Sequence, residues 1–377
     1  MTNGLDRSPA DAELRARRYH RRQFALGLLS LALTAGYLLA LAATGAGPRL
    51  ARSLALGEAW WLQLALTLGV LAAGHRLLLF PLDWLRGYWL PRRAGLLHQS
   101  PAAWLGDVAK ALALGGGLTL AGTLAVYALL RVTPWWWLWA AGVFFAGYAL
   151  LAWVAPTWLV PLFYRLTPLA DDDLRRRLLA LAERAGVPVV DVWVADESRK
   201  SRMANAAVTG LGRTRRIILF DTLLREFRPD EIEAVLAHEL GHHHHGDVWR
   251  GLVVSGGLTL LSFRVADLGL QQGVGALGLE GPADPGGLPL LGLILLGVGL
   301  LALPALNGWS RHVEWQADAF ALRTASMPGA LARALDRLAD LNLAERRPHA
   351  LRELLFHSHP AIAKRIEHAT ATIRHPA

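Results

Sequence analysis

Six stretches of the chain are apolar for long enough to cross a bilayer: 24–44, 60–81, 110–130, 135–156, 250–270 and 288–308. A spanning helix needs about 20 such residues. The third and fourth run without a break. The second is interrupted by His75 and Arg76, and the fifth turns polar at Arg264 and Asp267. Charge at that depth is costly unless it is paired or faces a wet cavity. Arg264 and Asp267 stand three apart, so they either pair on one helix face or mark a helix end.

Between the fourth and fifth spans the pattern changes. "DDDLRRRLLALAERAGV" has helical spacing, with Asp171–Asp173 at its positive end and Gly186 at its stop. "VPVVDVWVAD" is β-branched and alternates, which predicts a strand. "ANAAVTGL" and "RRIILFD" predict two more strands, joined by a turn at "GRT". "RPDEIEAVLAHELGHHHHGD" then predicts a helix that Pro229 opens and that Ile232, Val235, Leu236 and Leu240 anchor. From 309 onward the pattern is polar and helical throughout. The expected organisation is therefore 1–156 with four spans, 157–249 with a small sheet and a His-rich helix, 250–308 with two spans, and 309–377 as a helical end. The fold class is mainly α, a polytopic membrane protein with an α+β domain beside it.

Composition agrees. Of 377 residues 53% are hydrophobic and only 18% charged, against about 25% charged in soluble domains. The formal charge of +9 does not point to nucleic acid, because much of the arginine flanks the spans. Arg7, Arg15, Arg17, Arg18, Arg21 and Arg22 precede the first span, and Arg86, Arg92 and Arg93 follow the second; the opposite loops hold Arg49, Arg52 and Arg131, and none in 271–286. This bias predicts both termini and 157–249 in the cytoplasm, with the first run retained as an anchor. There is no cysteine, which excludes disulfides, thiolate metal sites and a cysteine nucleophile.

The chemistry concentrates in "AVLAHELGHHHHGDVWRG". His238, Glu239 and His242 form H-E-x-x-H. Residues four apart share a helix face, so two imidazoles can hold one zinc while Glu239 reaches the open coordination position as a base. The extended form H-E-x-x-H-x-x-G-x-x-H fails, since 245 is His and 248 is Val. A third ligand must come from elsewhere. "SRHVEWQADAFAL" offers Glu314 and Asp318, four apart and beyond two spans: Glu314 can ligate, and Asp318 can accept a hydrogen bond from a ligating histidine. His245 falls on the face of His238 and His242 and can approach the outer surroundings of the metal. His243 and His244 point elsewhere, as a solvated helix end would.

These segments place the chain beside a known family. It resembles the integral-membrane zinc endopeptidases of the CAAX prenyl protease type 1 family. "LPRRAGLLHQSPAAWLGD", "APTWLVPLFYRLTPL", "NAAVTGLGRTRRIILFDTLL", "HELGH", "SRHVEWQADAFAL" and "HSHPAIAKRI" occur in family order over about residues 80–366. The resemblance implies one zinc per chain held by His238, His242 and Glu314, with Glu239 as general base. It implies a helical membrane barrel around a chamber, with the site at its cytoplasmic edge. Asn205 and His359 match residues that the family keeps near the scissile bond. The stretch 203–210 can then take an extended substrate as an added strand, and His359 can stabilise the oxyanion. Arg365 either anchors a substrate carboxylate or pairs with Glu367 or another acid. The chain departs from the family at Ala207 and Val208, where an aromatic pair is usual, in lacking the His often found just before the Asn, and in having six spans rather than the seven of eukaryotic members.

The expectation is a membrane zinc endopeptidase acting on membrane-associated polypeptides, in a bacterial inner membrane on grounds of composition. A zinc transporter or sensor using the histidine tract is the competing reading, and a metal-free scaffold is a third.

Overall fold

The computed structural model describes residues 9–210, 212–324 and 328–374; Arg7 and Leu211, which figure in the readings above, lie outside the described residues. The chain opens with helices α1 (Pro9–Ala43), α2 (Trp60–Trp84), α3 (Pro101–Val132) and α4 (Trp136–Val154). Then come β1 (Leu166–Pro168), α5 (Asp172–Arg184), β2 (Val192–Ala195), β3 (Ala206–Thr209), β4 (Arg216–Phe220) and α6 (Pro229–His244). Two long helices, α7 (Asp247–Leu277) and α8 (Leu288–Thr324), lead to α9 (Pro328–Leu341), α10 (Ala350–Phe356) and α11 (Ile362–Arg374).

Among the described residues six helices are long and apolar enough to cross a membrane, and they are the six that hydropathy marks out. Each packs on two others in the order α1–α2–α3–α4–α7–α8–α1, so the spans close into a ring. Residues that interrupt the apolar runs are paired. His75 Nε2 lies 2.9 Å from Thr34 Oγ1 on α1, and Arg76 meets Asp83 at 3.0 Å. Arg264 and Asp267 pair at 2.7 Å inside α7 and end no helix. Asp267 is buried and also accepts from Trp136 Nε1 at 2.8 Å and Gln271 Nε2 at 3.0 Å, which ties α7 to α4.

The sheet has the order β1-β2-β4-β3, with β2 and β4 parallel and both outer strands antiparallel. Val192, Ile217 and Leu219 bury one face against Leu174, Leu178 and Leu181 of α5 and Ile232, Leu236 and Leu240 of α6. Asp171 caps α5 through the amide of Leu174 at 2.9 Å, and Gly186 takes φ 68° beyond its end. The strand expected over 187–196 is only Val192–Ala195. Pro188 has no amide hydrogen to give to a ladder, and the segment before β2 packs as a loop with Val187 buried. β1 is too short, and ends in Pro168, to carry an alternation of its own.

The membrane helices also extend beyond their apolar stretches. The polar residues ahead of the first span are helical, and Ala16 and His20 of α1 reach the C-terminal part: Ala16 packs with Leu343, and His20 Nε2 lies 2.9 Å from the Leu343 carbonyl oxygen. The helix that carries the sixth span does not end near 308, for α8 continues unbroken through Pro304 to Thr324. At 1.5 Å per residue it is a rod of about 55 Å. The region after it is three helices separated by loops, not one helical run.

Asp267→Ala removes the acceptor of three donors in the wall of the ring. It should cost about 1–3 kcal/mol, seen as a lower unfolding midpoint in detergent, with Asp267→Asn losing less. An unchanged midpoint contradicts this account of how α4 and α7 are joined.

Candidate metal centre and active site

α6 starts where Pro229 takes the first helical position and Glu231 Oε2 accepts the amide of Arg228 at 3.0 Å. One turn separates His238 from His242. Gly241 lets α8 come close, since a Cβ there would lie 3.1 Å from Ala317 Cα and 3.2 Å from Phe320 Cβ. That approach delivers Glu314. His238 Nε2 lies 3.5 Å from Glu314 Oε2, and His242 Nε2 lies 3.5 Å from Glu314 Oε1. One ligand atom from each of the three lies within 4.8 Å of the others, and no other such trio of histidine or acid residues occurs among the described residues.

The far nitrogens are held as well. His238 Nδ1 donates to Asp318 Oδ1 at 2.9 Å and His242 Nδ1 donates to Asp247 Oδ2 at 3.0 Å. Both imidazoles therefore present an unprotonated Nε2 to Glu314 when neutral. Asp318 is clamped by Arg365, whose Nε and Nη2 donate at 2.8 Å and 2.7 Å. Arg365 thus pairs with Asp318 and not with Glu367, which pairs with Arg347 at 2.7 Å. Arg365 Nη2 also lies 3.4 Å from His238 Nδ1, but both are donors aimed at the same carboxylate. His359 Nδ1 donates to Glu314 Oε1 at 3.0 Å. Glu314 Oε2 is buried and has no hydrogen-bond partner; its nearest cationic groups stand 3.5 Å away. Two neutral imidazole nitrogens and an orphaned carboxylate oxygen are a donor set that suits zinc.

Asp247 escaped the sequence reading. It lies five positions past His242, off the face of the motif, because Gly246 (φ 71°) turns the chain into α7 and swings the carboxylate back. Arg250 steadies it, donating to Asp247 Oδ1 at 2.9 Å and to Gln316 of α8 at 3.0 Å. The only available signal was an acid next to the start of a new helix.

A cleft of about 470 Å³ opens over these groups, lined by Glu239, His359, Asn205 and Ala207 among others. Asn205 is exposed, and its Oδ1 accepts the amide of Ala206 at 2.9 Å. The remaining histidines of the tract belong to no such group among the described residues. His243 is half-buried and donates through Nε2 to the Val208 carbonyl at 2.8 Å, so it is not part of a solvated helix end. His244 is exposed yet donates to the Ala185 carbonyl at 3.0 Å. His245 packs edge-on against Phe320 and does not reach the ligands' partners; that place belongs to Asp247.

Residues 168–373 match the description of peptidase family M48. The chain belongs to peptidase family M48. Residues 7–165 match the CAAX prenyl protease N-terminal description, five membrane helices. Here that region holds the four spans α1–α4 and a helix of 8 residues, Ala46–Ser53, too short to cross. The chain is 30% identical over 305 residues to the uncharacterized metalloprotease YhfN of Bacillus subtilis, covering 80% of this chain and 71% of that one. It is 30% identical over 323 residues to CAAX prenyl protease 1 of Saccharomyces cerevisiae, covering 79% and 70%. The crystal structure of S. mikatae Ste24p superposes with a TM-score of 0.83 at 25% identity, covering 98% of this chain and 91% of that one. The protein is a multi-pass, membrane-embedded metalloprotease with the fold of Ste24p. The transporter reading finds no support.

Electrostatics in this M48 site favour a cation. Burial alone pulls the His238 imidazole down, but the carboxylates of Asp318 and Glu314 beside it carry it up to about 9. Burial also opposes charge on His242, and Glu314 and Asp247 raise it. Burial pushes the Glu239 carboxyl up, while the two histidines pull it the other way. Metal ligation requires neutral imidazoles. With its value raised to about 9, the His238 imidazole carries a proton at pH 7 and would give it up to a metal. Metal affinity should therefore climb as pH rises from about 6 towards 9. Titrating zinc into the stripped protein in buffers of different ionisation enthalpy should show release of about one proton. No release at pH 7 contradicts this balance of charge.

Proposed function

We propose that the protein is a zinc endopeptidase that cuts peptide bonds in membrane-associated polypeptides. His238, His242 and Glu314 hold one zinc per chain, and the observation that carries this is the meeting of their ligand atoms with Glu239 beside them. Zinc at that position supplies Lewis acidity, polarising the scissile carbonyl and acidifying water. The protein's own groups do the rest.

Glu239 takes the proton of the attacking water and passes it to the leaving amine. Its burial favours the first task, because a carboxylate raised above its usual range takes up a proton more readily than an exposed one. His359 is anchored by Nδ1 on Glu314, and its Nε2 stabilises the oxyanion as the second N–H of the imidazolium form. Asp318, clamped by Arg365, fixes His238 in the ligating tautomer. β3 is an edge strand and borders the cleft, so an extended substrate can pair with it while Asn205 fixes the register. The arginines at the start of α1 and after α2 support a cytoplasmic site, with both termini on that side of a bacterial inner membrane. Nucleic acid has no place in this reading.

The yeast relative's name ties it to CAAX prenyl substrates. Here Ala207 and Val208 stand at the aromatic pair of that family, and the reading we favour is removal of membrane-associated or misfolded membrane polypeptides.

Glu239→Gln should keep its zinc and lose about 10²–10⁴-fold in turnover, checked by metal analysis beside a peptide-cleavage assay. Retained turnover would show that another group moves the proton. Given a farnesylated peptide, its unmodified twin and an unfolded membrane protein, the purified enzyme should cut the last and treat the twins alike. Cleavage of the farnesylated peptide alone overturns the quality-control reading.

A further inference from the structure

His243 is the one member of the histidine tract that touches the strand bordering the cleft, and the register of that strand gives the contact meaning. Ala206 pairs with Leu219 in the antiparallel β3–β4 ladder, which sets Asn205 opposite Phe220. The Phe220 amide donates to the Asn205 carbonyl at 3.0 Å, so this is a hydrogen-bonded pair. Such pairs alternate along an antiparallel ladder. Asn205, Ala207 and Thr209 therefore turn their amides and carbonyls towards β4, and Ala206 and Val208 turn theirs to the outer edge. No strand lies beyond β3 in the sheet.

The two outward residues are treated differently. The Ala206 amide is held by a side-chain oxygen, Asn205 Oδ1, which a guest strand can displace by rotating one side chain. The Val208 carbonyl is held by His243 Nε2 at 2.8 Å, from a helix that also carries the metal ligands. An independent observation agrees with this division. The cleft is lined by Ala204, Asn205, Ala206 and Ala207, and its lining stops before Val208.

We propose that His243 is a positioning residue that closes one end of the substrate ladder. It claims the outer carbonyl of Val208, joins β3 to α6 there, and leaves Ala206 as the last residue able to pair with substrate. A peptide then has a limited length of backbone that can be read on the Val208 side of the scissile bond, and its register is set against a stop. This rests on the strand-pairing reading proposed above.

The test uses the zinc-loaded full-length enzyme in detergent and an internally quenched peptide that it cuts at one bond. Two series derive from that peptide, one lengthened residue by residue on each side, the other carrying one N-methyl amide at successive positions. In the wild type, N-methylation opposite Ala206 should raise KM about three- to tenfold, the worth of one backbone hydrogen bond, and N-methylation two residues further towards Val208 should change nothing. In His243→Ala that further position should become sensitive by a similar factor, and peptides lengthened on that side should show a lower KM with kcat unchanged. His243→Gln, which keeps a donor, should restore the wild-type pattern. His243→Ser serves as a second stop-free variant should His243→Ala accumulate poorly. Sensitivity opposite Ala206 with no new sensitive position in either stop-free variant overturns the role of His243 and leaves strand pairing standing. Insensitivity at every position in the wild type overturns strand pairing and this proposal together.

Discussion

Glu314 must meet two imidazoles that come from a different helix, and much of the architecture serves that meeting. The carboxylate rides on α8, a rod that is also the sixth span. The imidazoles ride on α6, which is joined to the fifth span through a single left-handed glycine, Gly246. Neither helix can shift without moving part of the ring. Gly241 removes the side chain that would hold the two apart, with Ala317 and Phe320 filling the space. A loop-borne ligand would lack this rigidity, and rigidity is what holds a ligand set in one geometry.

Around that contact lies a second ring of acids and cations, and each member orients something nearer the centre. Asp318 and Asp247 take the far nitrogens of the two histidines. Arg365 and Arg250 hold those acids from α11 and α7 in turn. The carboxylates raise the basicity of the imidazoles, and their own burial is tolerable because each has a cationic partner. The C-terminal helices are thus part of the site: α11 supplies Arg365, and the loop before it supplies His359.

What could be read in advance follows how local each signal is. The six spans and the H-E-x-x-H helix are periodic over many residues, and both were legible. Glu314 and Asp318 form a pair that looks like any solvated face until a family resemblance singles it out. Their meaning comes from a packing contact made more than seventy residues away. Asp247 carries no motif, because a backbone turn brings it back to His242. β1 is three residues long and shows no alternation, and Val187–Asp191 has strand-like composition but a proline that breaks the ladder. His243 reads as part of a solvated helix end, because nothing in the sequence reveals that a strand carbonyl waits opposite it.

The central claim is that one ion sits among His238, His242 and Glu314. Anomalous diffraction from crystals of the purified protein, collected at the zinc absorption edge, tests it most directly. The account predicts one peak per chain, about 2.0–2.2 Å from each of the two Nε2 atoms and a carboxylate oxygen of Glu314. A map without that peak, or one with the zinc on His243–His245, contradicts it.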